Sequence, residues 1–263
     1  MALIQLTDVS LKRQGKSLLS HLNWTVNPGE AWAILGLNGA GKSTLLKLLM
    51  AEYWYTQGQV QVLDTVYGKG DITALRKRIG VVGSFIAERL PRHLTSEQII
   101  LTGASKSSIL YQAYDDNDLA LARDMLCSLD GGFLLGRTYA SLSQGEKQLV
   151  LIARSLMEAP DILILDEATS GLDLFAKERL LQHIDRIKSL PQAPLILYVT
   201  HHADEITKTF SHVLLLKEGK IAAQGPKHTV LRSAILSDFY DSPVKLIPIG
   251  DDRIYIRPDL QKL

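Results

Sequence analysis

Gly36-Leu37-Asn38-Gly39-Ala40-Gly41-Lys42-Ser43-Thr44 lies between an apolar run, 31–35, that reads as a buried strand and a second run, 45–50, that reads as the opening turns of a helix. Strand, glycine loop and helix in that order are the setting of a phosphate-binding P-loop. Glycines let the main chain curl until successive N–H groups converge on one centre, which a Cβ would obstruct. The start of the helix adds unsatisfied N–H groups and the positive end of its dipole. Lys42 has the reach and charge for β- and γ-phosphates, and the Ser43 hydroxyl suits Mg²⁺. The stretch implies a nucleotide-binding loop.

Outward from it, residues 3–9 and 18–26 alternate as strands around a polar turn at Gln14-Gly15-Lys16, and Asn27-Pro28-Gly29 turns the chain into the loop strand. Downstream, 59–63 and 79–82 read as further strands, the second behind the basic Arg76-Lys77-Arg78. From 84 to 157 the pattern is mainly helical, at 96–102, 118–129 and 144–157, as expected of a helical sub-domain inserted between strands. Strands return at 162–165, 195–199 and 213–216, with an amphipathic helix over 173–188. Beyond Asp241, 244–249 and 254–256 flank Gly250-Asp251-Asp252 as a small hairpin. The alternation implies an α/β fold with a mostly parallel sheet, helices on its faces and an antiparallel β region at the N-terminus. The expected boundaries are a domain over 1–240, with its core at 1–83 and 158–240 and the helical sub-domain at 84–157, then a hairpin tail at 241–263.

The 263 residues suffice for one large core. Lys and Arg total 29 against 28 Asp and Glu, so no global basic field favours nucleic acid. The single cysteine, Cys127, excludes an intrachain disulfide, and among Met125, Leu126 and Leu129 it reads as a buried thiol in a reducing cytoplasm. No apolar run approaches the ~20 residues that cross a bilayer, and Gln5, Thr7 and Asp8 interrupt the start too soon for a signal peptide. A soluble chain is expected, with any membrane role coming through a partner.

Two further motifs carry chemistry. The apolar strand 162–165 runs into Asp166-Glu167. At the carboxyl end of a strand beside the P-loop, Asp166 is placed to hold Mg²⁺ with Ser43, and Glu167 to orient and deprotonate an attacking water. Leu142-Ser143-Gln144-Gly145-Glu146 opens a helix with Ser143 as N-cap and Glu146 at N3, a capping box that helix capping alone would explain.

What capping does not explain is the order of the set: the P-loop, this segment, the acid-ended strand, Ser170-Gly171-Leu172-Asp173, then Thr200-His201. In that order the chain, from about Leu3 to Gly225, resembles the nucleotide-binding domain of the ATP-binding cassette (ABC) superfamily, a P-loop NTPase with a RecA-like core. The resemblance implies ATP and Mg²⁺ as cofactors. It makes Gly36, Leu37, Asn38, Gly39, Ala40, Gly41, Lys42, Ser43 and Thr44 the Walker A loop, and 162–167 the Walker B strand. Ser143, Gln144 and Gly145 become the signature that reaches the γ-phosphate held by a second protomer. Asp173 ends the loop that links the two sites of the dimer, and His201 matches the switch histidine at the γ-phosphate. The catalytic set is then Lys42, Glu167 and His201.

Two positions depart from the family pattern. Arg13 stands where an adenine-stacking aromatic is usual, and a guanidinium plane can stack on a base as well as lie on the surface. Ser84 stands where the Q-loop glutamine near Mg²⁺ is usual, and it is too short for the same span without a bridging water. Gln144, where glycine is commoner, is a milder change. Serine at the Q-loop, the signature and Thr200-His201-His202 also look like the branch named after molybdate transport or photorepair.

The resemblance implies an Mg-dependent ATPase subunit of a transporter, peripheral on the inner face of the cell membrane and driven by ATP-dependent head-to-tail dimerisation, homo- or heteromeric. Its integral membrane subunits would be separate chains that insert a helix near 85–108. The segment Gly136-Arg137-Thr138-Tyr139-Ala140 lacks the glutamate-rich loop of many exporters, which favours an importer. The alternative is a cytosolic ABC ATPase with no membrane partner, as in iron–sulfur cluster assembly.

Overall fold

β1 (Ile4–Arg13) and β2 (Lys16–Val26) pair antiparallel, Ile4 opposite Val26 and Arg13 opposite Lys16. The turn residues between them, Gln14 and Gly15, both take positive φ (49° and 75°), the twist a two-residue hairpin needs. β4 (Gln57–Val62) joins the other edge of β1 and β5 (Thr65–Val66) joins β4, giving the order β2-β1-β4-β5. The computed structural model describes residues 1–83, 90–104 and 114–259, and these divide into two compact units, Met1–Arg76 with Leu195–Leu263, and Lys77–Pro194.

In the first unit a second sheet is centred on β3 (Trp32–Leu35), flanked in parallel by β8 (Leu195–Thr200) and β9 (His212–Lys217). All four residues of β3 and all six of β8 are buried, as expected of parallel strands covered on both faces. β10 (Lys220–Pro226) closes the edge antiparallel to β9. The entry to β3 is pinned chemically. The Glu30 carboxylate accepts from the Asn27 amide and the Trp32 indole, each at 2.8 Å, while Trp24 meets Trp32 edge-on and His212 stacks on Trp32 at 4.8 Å. Burial acts to raise the Glu30 pKa, but these hydrogen bonds and His212 outweigh it and hold the carboxyl below its ordinary value. After β3 comes α1 (Lys42–Leu49); α2 (Ile72–Lys77) leads out of this part of the unit.

In the second unit β6 (Ile79–Val82) lies parallel to β7 (Ile162–Asp166), in register from Ile79–Ile162 to Val82–Leu165. Around them are α3 (Ser96–Leu101), α4 (Asp116–Ser128), α5 (Gln144–Leu156) and α6 (Leu174–Ile187). α5 is central, packing on α3, α4, α6 and β6. Its buried Arg154 donates to Thr102 Oγ1 at 2.8 Å, which satisfies a cation that burial alone would penalise.

The predicted strands and long helices are present with ends moved by a few residues. β5, β10, α2, α7 (Lys227–Val230) and α8 (Ser233–Tyr240) carried no clear signal. The C-terminal hairpin forms as β11 (Val244–Gly250) and β12 (Arg253–Pro258). One expectation is corrected: Cys127 is exposed. The buried stripe of α4 is Ala122 and Leu126, and Cys127, one residue further on, is rotated about 100° off it.

Candidate active site

The P-loop leaves β3 at Leu35 and enters α1 at Lys42, as its spacing predicts. Gly36 is required by contact: a Cβ there would lie 2.8 Å from the Leu216 carbonyl oxygen and 3.1 Å from the Ala40 Cβ. Gly41 is required by conformation, with φ at +102°. No side chain caps α1, whose N-cap is Gly41, so its first amides remain for an anion. Lys42, 7% exposed, folds back over its own loop and donates to the carbonyls of Gly36 (2.8 Å) and Leu37 (3.3 Å). That places the ammonium at the centre of the curl. Leu37, Asn38, Gly39 and Ser43 are exposed, and Ala40 is buried.

Two other turns meet the loop within this unit. The Gly219 amide, between β9 and β10, donates to Ala40 O at 2.9 Å, and Gly219 O accepts from the Ser20 amide of β2 at 2.9 Å. A Cβ on Gly219 would stand 2.5 Å from Leu18 O, and one on Gly41 would stand 3.3 Å from the same oxygen.

His201 is brought to the loop by the sheet. Leu35 is in register with Thr200, and the Gly36 amide donates to Thr200 O at 3.3 Å, so the residue after β8 stands at the point where the P-loop begins. The His201 and His202 rings lie 4.0 Å apart. The turn is held by a residue that sequence reasoning missed: Glu205, 2% exposed, accepts from Tyr198 OH at 2.9 Å and from Thr200 Oγ1 at 2.5 Å.

Arg13, at the end of β1, rests its guanidinium 4.4 Å from the centroid of Tyr53, with Lys47 Nζ 5.1 Å from the same ring. Tyr53 is tied to α1 through its amide on Lys47 O (3.1 Å). The cation at the expected base position thus has an aromatic backing that sequence spacing did not reveal.

In the second unit β7 ends at Asp166, and Glu167 takes a left-handed backbone (φ 48°), an uncommon state for a non-glycine residue. The Ser170 amide donates to Glu167 O at 3.0 Å, which closes the following turn. Asp173 caps α6, its carboxylate accepting from the Ala176 amide at 2.9 Å. Gly145 faces this helix start, where a Cβ would meet the Ala176 Cβ at 3.3 Å. The predicted capping box of α5 is complete: the Ser143 amide donates to Glu146 at 2.7 Å, and the Glu146 amide to Ser143 Oγ at 3.3 Å. Arg137 grips the same Glu146 carboxylate with both terminal nitrogens, at 2.6 and 3.2 Å. Burial raises the Glu146 pKa, but these donors together lower it below the ordinary value. Ser143 and Gln144 are exposed. Ser84 and the two ends of the predicted docking stretch, 85–89 and 105–108, fall outside the described residues.

The structure therefore collects Gly36 through Thr44, His201 and Arg13 in one unit, and Ser143, Gln144, Gly145, Asp166, Glu167 and Asp173 in the other. Among the described residues no helix is long and apolar enough to cross a membrane.

Residues 19–170 match the model of the family described as ABC transporter. An ABC transporter ATP-binding protein of Streptococcus mutans serotype c is 62% identical over 260 residues, covering 99% of this chain and all of that one. The hemin import ATP-binding protein of Hahella chejuensis is 30% identical, over 91% of this chain and 93% of that one. Among solved structures, CbiO1 of Clostridium perfringens, part of the transporter complex cbiONQ, superposes with a TM-score of 0.78 at 25% identity, over 90% of this chain and 93% of that one. These similarities favour the transporter reading and lend none to the partnerless cytosolic one. The chain belongs to the ABC transporter family, as an ATP-binding and ATP-hydrolysing subunit.

Proposed function

We propose that this subunit hydrolyses ATP with Lys42, Glu167 and His201 and passes the resulting conformational work to separate membrane subunits. The observation that carries the reading is the closed P-loop, with Lys42 Nζ on Gly36 O and Leu37 O and the His201 strand joined to Gly36. In this reading the loop amides of 36–44 hold the phosphates and Lys42 trades its carbonyl contacts for β- and γ-oxygens. Arg13 supports the base. Glu167 takes the proton of the attacking water, and His201 holds the γ-phosphate. Ser43 and Asp166 supply the hydroxyl and carboxylate oxygens that Mg²⁺ prefers, so the donor set fits that ion, and Ser84 is the third candidate for its neighbourhood. Mg²⁺ would neutralise charge on the phosphates; the positioning is left to the chain.

Ser143 and Gln144 stand exposed and Gly145 half-buried at a helix start, which suits a clamp for the γ-phosphate of a second protomer, and Asp173 caps the helix whose Ala176 faces Gly145. We read this as support for a head-to-tail dimer of two cassettes, with 84–157 as the helical sub-domain that meets the membrane subunits at the inner face of the membrane. The hemin-import role of the Hahella relative and the absence of a glutamate-rich segment at 136–140 support an importer.

Glu167→Gln tests the reading. Hydrolysis should fall by about 10²–10⁴-fold while ATP still binds, and saturating ATP should shift the variant to a dimer in light scattering. Near-normal turnover removes Glu167 from the mechanism, and a strict monomer contradicts the shared site.

A further inference from the structure

The β11–β12 hairpin has two unlike faces. Val244, Leu246, Ile254 and Ile256 alternate onto one side and are buried or half-buried. Ile247 and Tyr255, directly opposite in register, occupy the other at 36% and 50% exposure, and Ile249, at the register shift between Pro248 and Gly250, is 49% exposed beyond them. Charge is sorted along the same ribbon. Lys245 and Arg257 face each other at its base, and Asp251 and Asp252 form its tip. Lys245 is paired with Asp259 at 3.1 Å, Asp252 with Lys227, and Arg253 donates to Asp204 O at 2.6 Å, which leaves Arg257 and Asp251 as the hairpin charges without such a partner among the described residues.

We propose that this outer face is a self-association surface whose occupant is the same face of a second copy, laid antiparallel. A two-fold axis passing between Ile247 and Ile249 sets each copy's apolar residues on the other's. It also brings Asp251 of one ribbon to the level of Arg257 of the other, twice over. Parallel stacking would oppose like charges, so the ribbon is complementary to itself only when reversed. An anionic bilayer is a poor occupant, because it would repel Asp251 and Asp252 at one end of the ribbon. The three apolar side chains offer roughly 300 Å² per copy, the size of the largest patch on many monomers. That is well short of the ~1,200–2,000 Å² total of a stable complex, so the contact is weak and reversible. It needs no nucleotide and is independent of the catalytic reading.

Sedimentation equilibrium of the full chain without nucleotide decides it. The wild type should form a reversible dimer at about 100 µM that weakens as salt is raised. Tyr255→Ser, with unchanged circular dichroism, should weaken association by about tenfold. Asp251→Asn, which tolerates the left-handed backbone there (φ 49°), and Arg257→Gln should each weaken it several-fold. The double variant should be no more than about twofold weaker than either single, because the two charges serve one contact. A strict monomer at ~500 µM, a Tyr255→Ser protein that dimerises like wild type, or losses that multiply in the double variant would overturn the proposal.

Discussion

Thr200 Oγ1 donates to Glu205 Oε2 at 2.5 Å and accepts from the His202 amide at 3.0 Å, so one hydroxyl joins a buried carboxylate to the segment that carries His201. Tyr198, at the same carboxylate oxygen, completes the arrangement from within β8. The turn that carries His201 is therefore held by a residue four positions downstream.

Glu205→Ala would leave two buried hydroxyls without their acceptor, at a cost of about 1–3 kcal/mol. The expected outcome is a lower thermal midpoint and a fall in kcat of about tenfold or more, with ATP affinity within about twofold. Glu205→Gln keeps an acceptor oxygen and should recover most of kcat. Separate measurement of kcat and of nucleotide affinity checks this, and a kcat unchanged in the alanine variant would show that His201 needs no such support.

The Arg13–Tyr53 contact predicts a split between base and phosphate recognition. Tyr53→Leu should weaken ATP binding about two- to fivefold, the worth of an exposed cation–π contact. Inhibition by tripolyphosphate, which has no base, should not change. Competition titration of both against a fluorescent ATP analogue measures the split; a parallel loss of both would place Tyr53 in the packing of α1 instead.

The Glu146 carboxyl predicts a pH dependence at the start of α5. Its pKa in the folded chain is below the ordinary value, so its contribution is present above the ordinary carboxylate range and is lost as pH falls through the folded value. Hydrogen exchange at the Ser143 and Glu146 amides should accelerate relative to the rest of α5 as pH drops from about 6 towards 3. Glu146→Gln should remove that acid-dependent component, and Ser143→Ala should cost about 1 kcal/mol at any pH. Peptide-resolved exchange reads both.

The sequence revealed what local physics determines. Leu35-to-Lys42 had to curl because of Gly36 and Gly41, the turn at Asn27-Pro28-Gly29 had to precede β3, and the tail had to fold back at Gly250-Asp251-Asp252. The capping box at Ser143 was legible for the same reason. What stayed hidden depends on distant partners. β10 alternates exposed and half-exposed residues and becomes a strand because β9 offers it an edge. Glu205 looks like a surface acid until Tyr198 and Thr200 are folded beside it. Cys127 was misread because three apolar neighbours at helical spacing do not say on which side of them the stripe ends.

The junction at Gly219 has a consequence for how lesions in this protein should be interpreted. Its amide and carbonyl tie Ala40 to Ser20, so a turn about 180 residues further along the chain is part of the wall of the P-loop. Adding even a methyl group there would press on Leu18 and loosen the grip on Ala40. A change at Gly219 should therefore look, in a functional screen, like a defect in the phosphate cradle, although no alignment of motifs would place it there.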